Sequence, residues 1–340
     1  MRDVLPALRR WADAGIPAAT VTVVATERSA PRDPGATLAL NANGEVLGSV
    51  TGGCVEPAVI VEAEEVLNGG EPRLRTYGIA DEEAFEVGLP CGGTVHVFVD
   101  RLDPALLGPL ADAIEHERPL ALAVDVSGAD IGRKRLVDPG SDAEEEVHRA
   151  LTLGESGLLE VDGRQVFVDS FVPRPAMYVF GAVDHASAVA RIGRFLGYRV
   201  TVCDARSSFV TPQRFPDVDE LVVDWPDRFL ARSPVDERTA IVVLTHEHRF
   251  DVPALKVALG TNAGYIGAMG SKRTTAVREE RLRAEGVTDE QLARVHAPIG
   301  LSINARSPEE VAVAIAGEIV AVRRRSAIRS RPPEVFAKTG

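Results

Sequence analysis

Cysteine is scarce in this sequence, with three in 340 residues. So small and odd a number argues against a disulfide framework and for a reducing compartment, and the expected location is the cytoplasm. Long apolar runs are missing as well. No stretch reaches the length needed to span a bilayer, so no membrane association is expected. Near the start, Asp3 and Pro6 stand where a secretory signal needs an apolar core, and export is not expected. Positive charge is in deficit: 38 Lys and Arg against 50 Asp and Glu give a net charge of −12. Global attraction to nucleic acid or to an anionic membrane is thereby disfavoured, and an anionic ligand needs a local basic or amide-rich pocket. Internal repeats are absent, as are low-complexity tracts outside the C-terminal end. There Arg323, Arg324, Arg325, Arg329 and Arg331 precede Pro332-Pro333, as a solvated tail or a contact for an acidic partner.

What is present is a globular composition, 45% apolar and 26% charged, on a chain long enough for two domains. The first half mixes helical and extended patterns. Helices are predicted over 3–14, 57–68, 104–117 and 142–152. Strands are predicted over 19–26, 36–40, 45–50, 73–79, 94–99, 119–126, 133–138, 157–161 and 165–171. Phe171-Val172-Pro173-Arg174-Pro175 carries two prolines that favour extended backbone, and the domain boundary is placed there. From Met177 strands (177–181, 199–203, 220–224, 240–244, 263–268) alternate with helices (185–196, 225–231, 252–259, 271–285, 307–324). The fold class expected is α/β: an N-terminal α+β domain, then a doubly wound Rossmann-like domain with a parallel sheet.

Two of the three cysteines lie beside glycine pairs, in Thr51-Gly52-Gly53-Cys54 and in Cys91-Gly92-Gly93-Thr94. Glycines let the backbone approach a bound group, and a thiol at a helix start is expected to shift toward thiolate. The same pattern also fits two tight turns with small buried thiols. Cys203, inside a strand, reads as core. In the second half the ligand edge is expected past the strand C-termini. Val183 stands where the dinucleotide fingerprint needs its second glycine in Gly181-Ala182-Val183-Asp184, although Asp204 has the spacing of a ribose-binding acid. NAD(P) is therefore not the expected cofactor, and an NAD(P)-dependent oxidoreductase is the alternative. His246, at the end of the fourth strand, is a candidate ligand contact. With His248 and Asp251 it also suggests a metal-dependent hydrolase, a weak signal without a distant third ligand. Asp251 reads as a helix N-cap. Ser271, Lys272 and Arg273 open the next helix. Cations there oppose the helix dipole unless an anion offsets them, which makes this start a phosphate seat or a solvated basic turn.

Together these segments resemble the XdhC/CoxI family. The resemblance rests on Gly48–Glu56 and Glu86–Gly93 in the first half. In the second it rests on Phe180–Val183, Thr245-His246, Gly267–Thr274, Pro298–Leu301 and Ala305–Glu310. It implies an XdhC/CoxI-type α+β domain over 1–172 and a Rossmann-like domain over 173–325; the remaining 326–340 are expected from composition to be a disordered tail. It also implies a non-catalytic maturation factor for molybdenum hydroxylases such as xanthine dehydrogenase, aldehyde oxidoreductase or CO dehydrogenase. Its cargo would be the molybdenum cofactor (molybdopterin). Its partners would be the target hydroxylase, a cysteine desulfurase and molybdenum cofactor biosynthesis proteins, with a homodimer as the assembly. The implied cofactor contacts are Gly52, Gly53, Cys54, Cys91, Gly92, Gly181, His246, Ser271, Lys272 and Arg273. The resemblance carries over the positions only; from the helix-start setting of Cys54, the expected role of Cys54 and Cys91 is a transient molybdenum contact or a persulfide relay.

Overall fold

The computed structural model describes residues 1–28, 30–78 and 93–326, and the chain forms two compact units, Met1–Pro173 and a second beginning at Arg174. In the first unit β1 (Ala18–Glu27) is the central strand. It lies antiparallel between β2 (Thr37–Asn41) and β5 (Thr94–Arg101), with β3 (Val46–Gly48) and β4 (Arg73–Tyr77) at the edges. Alternation along β1 sends Ala19, Val21 and Val23 to one face, against Val59, Ala63 and Val66 of α2 (Glu56–Leu67). Val24 faces the other side by the same alternation, and a register shift between Val23 and Ala25 brings Ala25 to that side as well. That face meets Leu5, Leu8 and Trp11 of α1 (Leu5–Asp13) and Leu107 and Leu110 of α3 (Leu107–Glu115). It also meets Leu122, Val124, Leu158 and Phe167 of a second antiparallel sheet.

The second sheet has the order β7-β6-β9-β8, built from β6 (Leu120–Asp125), β7 (Lys134–Val137), β8 (Gly157–Val161) and β9 (Arg164–Phe171). Its outer face is closed by Val147, Ala150 and Leu151 of α4 (Glu145–Leu153), which ends on Gly154 at φ 65°.

The second unit is a six-stranded, all-parallel sheet. Its strands are β10 (Ala176–Phe180), β11 (Arg199–Cys203), β12 (Glu220–Val222), β13 (Ala240–Val243), β14 (Tyr265–Ala268) and β15 (Val295–His296). The order 12-11-10-13-14-15 reverses at β10, as in a Rossmann sheet. Both faces are covered. Met177, Val179, Val200 and Val202 meet α5 (Asp184–Phe195) and α10 (Pro308–Ser326). Tyr178, Phe180, Ile241 and Val243 meet α6 (Pro226–Leu230), α7 (His248–Leu259) and α8 (Lys272–Ala284). The doubly wound fold expected from the alternation is the fold found.

Three details differ from the sequence expectation. Helix α7 begins at His248, ahead of Pro253, with Phe250 of its first turn buried and its ring 5.0 Å from that of Trp225. Asp251 therefore lies inside the first turn, and Glu247 occupies the N-cap position. A short helix, α9 (Asp289–Leu292), is set by a Thr288–Gln291 capping box and leads into β15. Arg323, Arg324 and Arg325 belong to the last turn of α10, where cations suit the helix dipole.

Candidate functional site

In the first unit the Gly52-Gly53 turn is organised by Glu56. The Glu56 carboxylate accepts from the amides of Val50 (3.2 Å), Thr51 (2.9 Å), Gly52 (3.0 Å), Gly53 (2.8 Å) and Val55 (3.2 Å). It also accepts from the hydroxyls of Ser49 (2.5 Å) and Thr51 (2.7 Å). Burial opposes ionisation of Glu56, but these donors outweigh it and hold the carboxyl down at about 2. The turn requires positive φ at Gly52 (86°) and Gly53 (126°), and the space where their Cβ atoms would lie is open.

Cys54 follows this turn as a free, half-buried thiol, its amide donating to Thr51 Oγ1 at 3.1 Å. It precedes the helix by two residues, and the Gly52 and Gly53 amides of the turn are directed at Glu56. Cys91 and Gly92 lie outside the described residues. Cys203 is core: burial pushes its thiol up to about 12, and Sγ donates to the Asp224 carbonyl at 3.4 Å.

In the second unit the candidate residues stand at the carboxyl edge of the sheet. Gly181 follows β10 at φ 102°. A Cβ there would lie 2.6 Å from Thr245 Cγ2 and 3.0 Å from Thr245 N. Glycine is thus required by the neighbouring strand end. Asp204, at the ribose-acid position, is buried and fully engaged. It accepts from the Ala182 amide (2.8 Å), and from the Arg206 amide (2.9 Å), Nε (2.9 Å) and Nη2 (2.7 Å). Burial raises the Asp204 carboxyl, yet these hydrogen bonds bring it below its ordinary range. Arg206 also reaches Glu247 at 3.5 Å, from the loop after β11 to the loop after β13, over the end of the intervening β10. With Val183 in place of glycine and Asp204 spent on Arg206, this crevice is ill suited to a dinucleotide.

His246 is exposed beside buried Thr245, whereas His248 Nδ1 is buried with no hydrogen-bond partner. Among the described residues no group of three His, Cys, Asp or Glu is arranged to hold a metal, so His246 and His248 lack the further ligand a hydrolase needs.

Ser271 caps α8, its Oγ accepting from Thr274 N at 3.2 Å, and Lys272 and Arg273 are exposed in the first turn. Beneath this start lies a pair the sequence reading missed. Arg278, in the second turn of α8, is buried. It donates from Nη2 to Met269 O (2.6 Å) and to Asp251 Oδ2 (3.2 Å). Burial, working against the Arg278 partner, pushes the Asp251 carboxyl up to about 7. Twenty-seven residues separate the two charges, and only the packing of α7 on α8 joins them.

A Rossmann-like unit with an engaged ribose acid, preceded by an antiparallel α+β unit bearing a Gly-Gly-Cys turn, defines the class of protein. A family profile described as the XdhC Rossmann domain matches residues 177–319, and one described as the XdhC and CoxI family matches 11–78. The chain belongs to the XdhC and CoxI family. Among its relatives is a probable xanthine dehydrogenase subunit of Bacillus subtilis, 26% identical over 92% of this chain and 94% of that one. Another is the molybdenum cofactor insertion chaperone PaoD of Escherichia coli, 27% identical over 90% of this chain and 83% of that one. The fold is shared with a crystal structure of a xanthine dehydrogenase from Bacillus halodurans, at a TM-score of 0.66 and 23% identity over 98% of both chains.

Proposed function

We propose that this protein is a cytoplasmic, homodimeric maturation factor that binds the molybdenum cofactor, holds it for sulfuration, and promotes its insertion into a molybdenum hydroxylase. Family membership and the similarity to an insertion chaperone support this reading. The single observation that carries it is Cys54 on an open glycine turn whose shape is set by Glu56. A soft sulfur so placed suits transient contact with the dithiolene-bound, oxophilic metal of the cargo or a persulfide relay, with Cys91 in the same role. In the second unit Ser271, Lys272 and Arg273 offer the phosphate group of the cargo a helix start with two exposed cations, with Gly181 and His246 as neighbouring contacts at the same sheet edge. A cysteine desulfurase and cofactor biosynthesis proteins are the proposed upstream partners. The engaged Asp204 weighs against an oxidoreductase using NAD(P).

Co-expression with a molybdenum hydroxylase tests the proposal. Sulfurated cofactor in the purified hydroxylase should rise when this protein is present and fall back with Cys54→Ala or Cys91→Ala. If both single variants and their combination bind cofactor and activate the target as wild type does, the role assigned to the thiols is wrong.

A further inference from the structure

Asp251 and Arg278 are the most deeply buried ion pair described in the second unit, with side chains 1% and 2% exposed. Their contact is incomplete. Arg278 Nε and Nη1, Asp251 Oδ1, Thr275 Oγ1 and His248 Nδ1 are all buried without a hydrogen-bond partner. A buried charge pair with unmet donors stabilises a fold less well than apolar side chains of the same volume. Its position suggests a use. Arg278 Nη2 grips the Met269 carbonyl, and it lies 3.4 Å from where a Gly270 Cβ would be. Gly270, at φ 148°, is the residue through which the chain turns into Ser271, Lys272 and Arg273. The guanidinium is thus packed against the underside of the turn whose outer side carries two exposed cations at a helix N-terminus.

We propose that Arg278 is the buried positioning residue of an anion seat at the β14–α8 turn: it fixes Met269–Ser271 and lends positive charge from beneath to a phosphate monoester bound outside. The identity of that ligand as the cofactor's phosphate rests on the function proposed above; the seat itself does not. Asp251 opposes the Arg278 charge. The other groups near the pair are Glu247 at the α7 N-cap position, itself held by Arg206 and Arg249, His248 on α7 and Arg281 on α8. Protonating Asp251 removes the opposing charge, so anion affinity rises as the carboxyl gains its proton, and Asp251→Asn imitates that state.

The test uses full-length protein with two probes, molybdopterin and its phosphatase-treated form, titrated by pterin fluorescence between about pH 6 and 8. A phosphate monoester itself titrates near ~6, and comparing proteins at one pH cancels that change. Wild type should prefer the phosphorylated probe about tenfold, corresponding to about 1.4 kcal/mol. Asp251→Asn should increase the preference at the alkaline end and flatten its pH dependence. The Arg278→Met, Asp251→Leu double variant, which leaves no unpaired buried charge, should lose most of that preference while melting as a folded protein, the remainder belonging to Lys272 and Arg273.

A double variant whose preference equals that of wild type, or an Asp251→Asn profile identical to wild type, overturns the proposal. Should wild type bind both pterins equally, the seat fails and the cargo assignment stands. If neither pterin binds but inorganic phosphate, followed by phosphorus NMR, binds wild type more tightly than the double variant, the seat stands and the cargo assignment fails. Should none of the three bind, both fail.

Discussion

Glu56 does for its loop what a bound anion does elsewhere: one carboxylate gathers amides that no helix or sheet claims. Glu56→Gln places an amide group, itself a donor, among those N–H groups. A hydrogen bond to a charged partner is worth about 1.5–3 kcal/mol, and the variant should lose about 2 kcal/mol of unfolding free energy in urea titrations. It should also alkylate faster at Cys54, whose amide is tied to the same turn through Thr51. The acid dependence has a definite sign. A carboxyl at about 2 when folded and ~4.3 when unfolded contributes fully above the higher value. That contribution disappears as pH falls toward the lower one. Wild type should therefore lose its advantage over Glu56→Gln between about pH 4 and 2, as urea midpoints measured across that range will show. Gly181 is a second constrained residue. Gly181→Ala combines a positive φ with contact on Thr245, and about 2 kcal/mol or more of destabilisation is expected. Adding Thr245→Ser removes the methyl group in the way but not the backbone nitrogen, so stability should return only in part.

At the scale of elements, α8 sets stability against binding. Ser271→Ala removes the hydroxyl that caps Thr274 N and should cost about 1 kcal/mol. Replacing Lys272 and Arg273 by Ala should do the reverse, gaining a few tenths of a kcal/mol because cations oppose the dipole at that end. The same double variant should hold phosphate-bearing cargo less well. Thermal melts paired with cofactor retention separate the two effects; a loss of stability together with retained cargo would reduce these residues to a solvated turn. The strand–helix alternation made the doubly wound sheet legible in the sequence, because each parallel strand is a short apolar run between punctuating loops. Strand β15 was not legible, having two residues and its place in the sheet only through pairing with β14. The start of α7 was misplaced because Pro253 reads as a helix boundary, whereas the helix begins ahead of it, with Phe250 buried in its first turn. Of the candidate residues, those in contiguous motifs could be named, Cys54 and Ser271 among them. The partnership of Asp251 with Arg278 could not, because it depends on how two helices pack. Nor could the role of Glu56, whose bonds to five amides follow from turn geometry.

For the whole molecule, the net charge of −12 sets how an anionic cargo arrives. At about 10 mM salt the Debye length is about 30 Å, and an approaching phosphate feels the overall negative field before any local cation. Near physiological ionic strength the screening length falls to about 8 Å, and only the groups around the seat remain in range. Association should therefore be slow at low salt and quicken as salt rises toward about 150 mM. A protein that drew in its ligand through an extended basic surface would show the opposite trend. Stopped-flow pterin fluorescence across that salt range distinguishes the two. In the Lys272→Ala, Arg273→Ala variant the rate should keep rising with salt but remain below wild type throughout, because the general repulsion is unchanged and the short-range attraction is weakened. A wild-type rate that falls steeply with added salt would mean that long-range attraction guides the cargo, and the local-seat account could not stand.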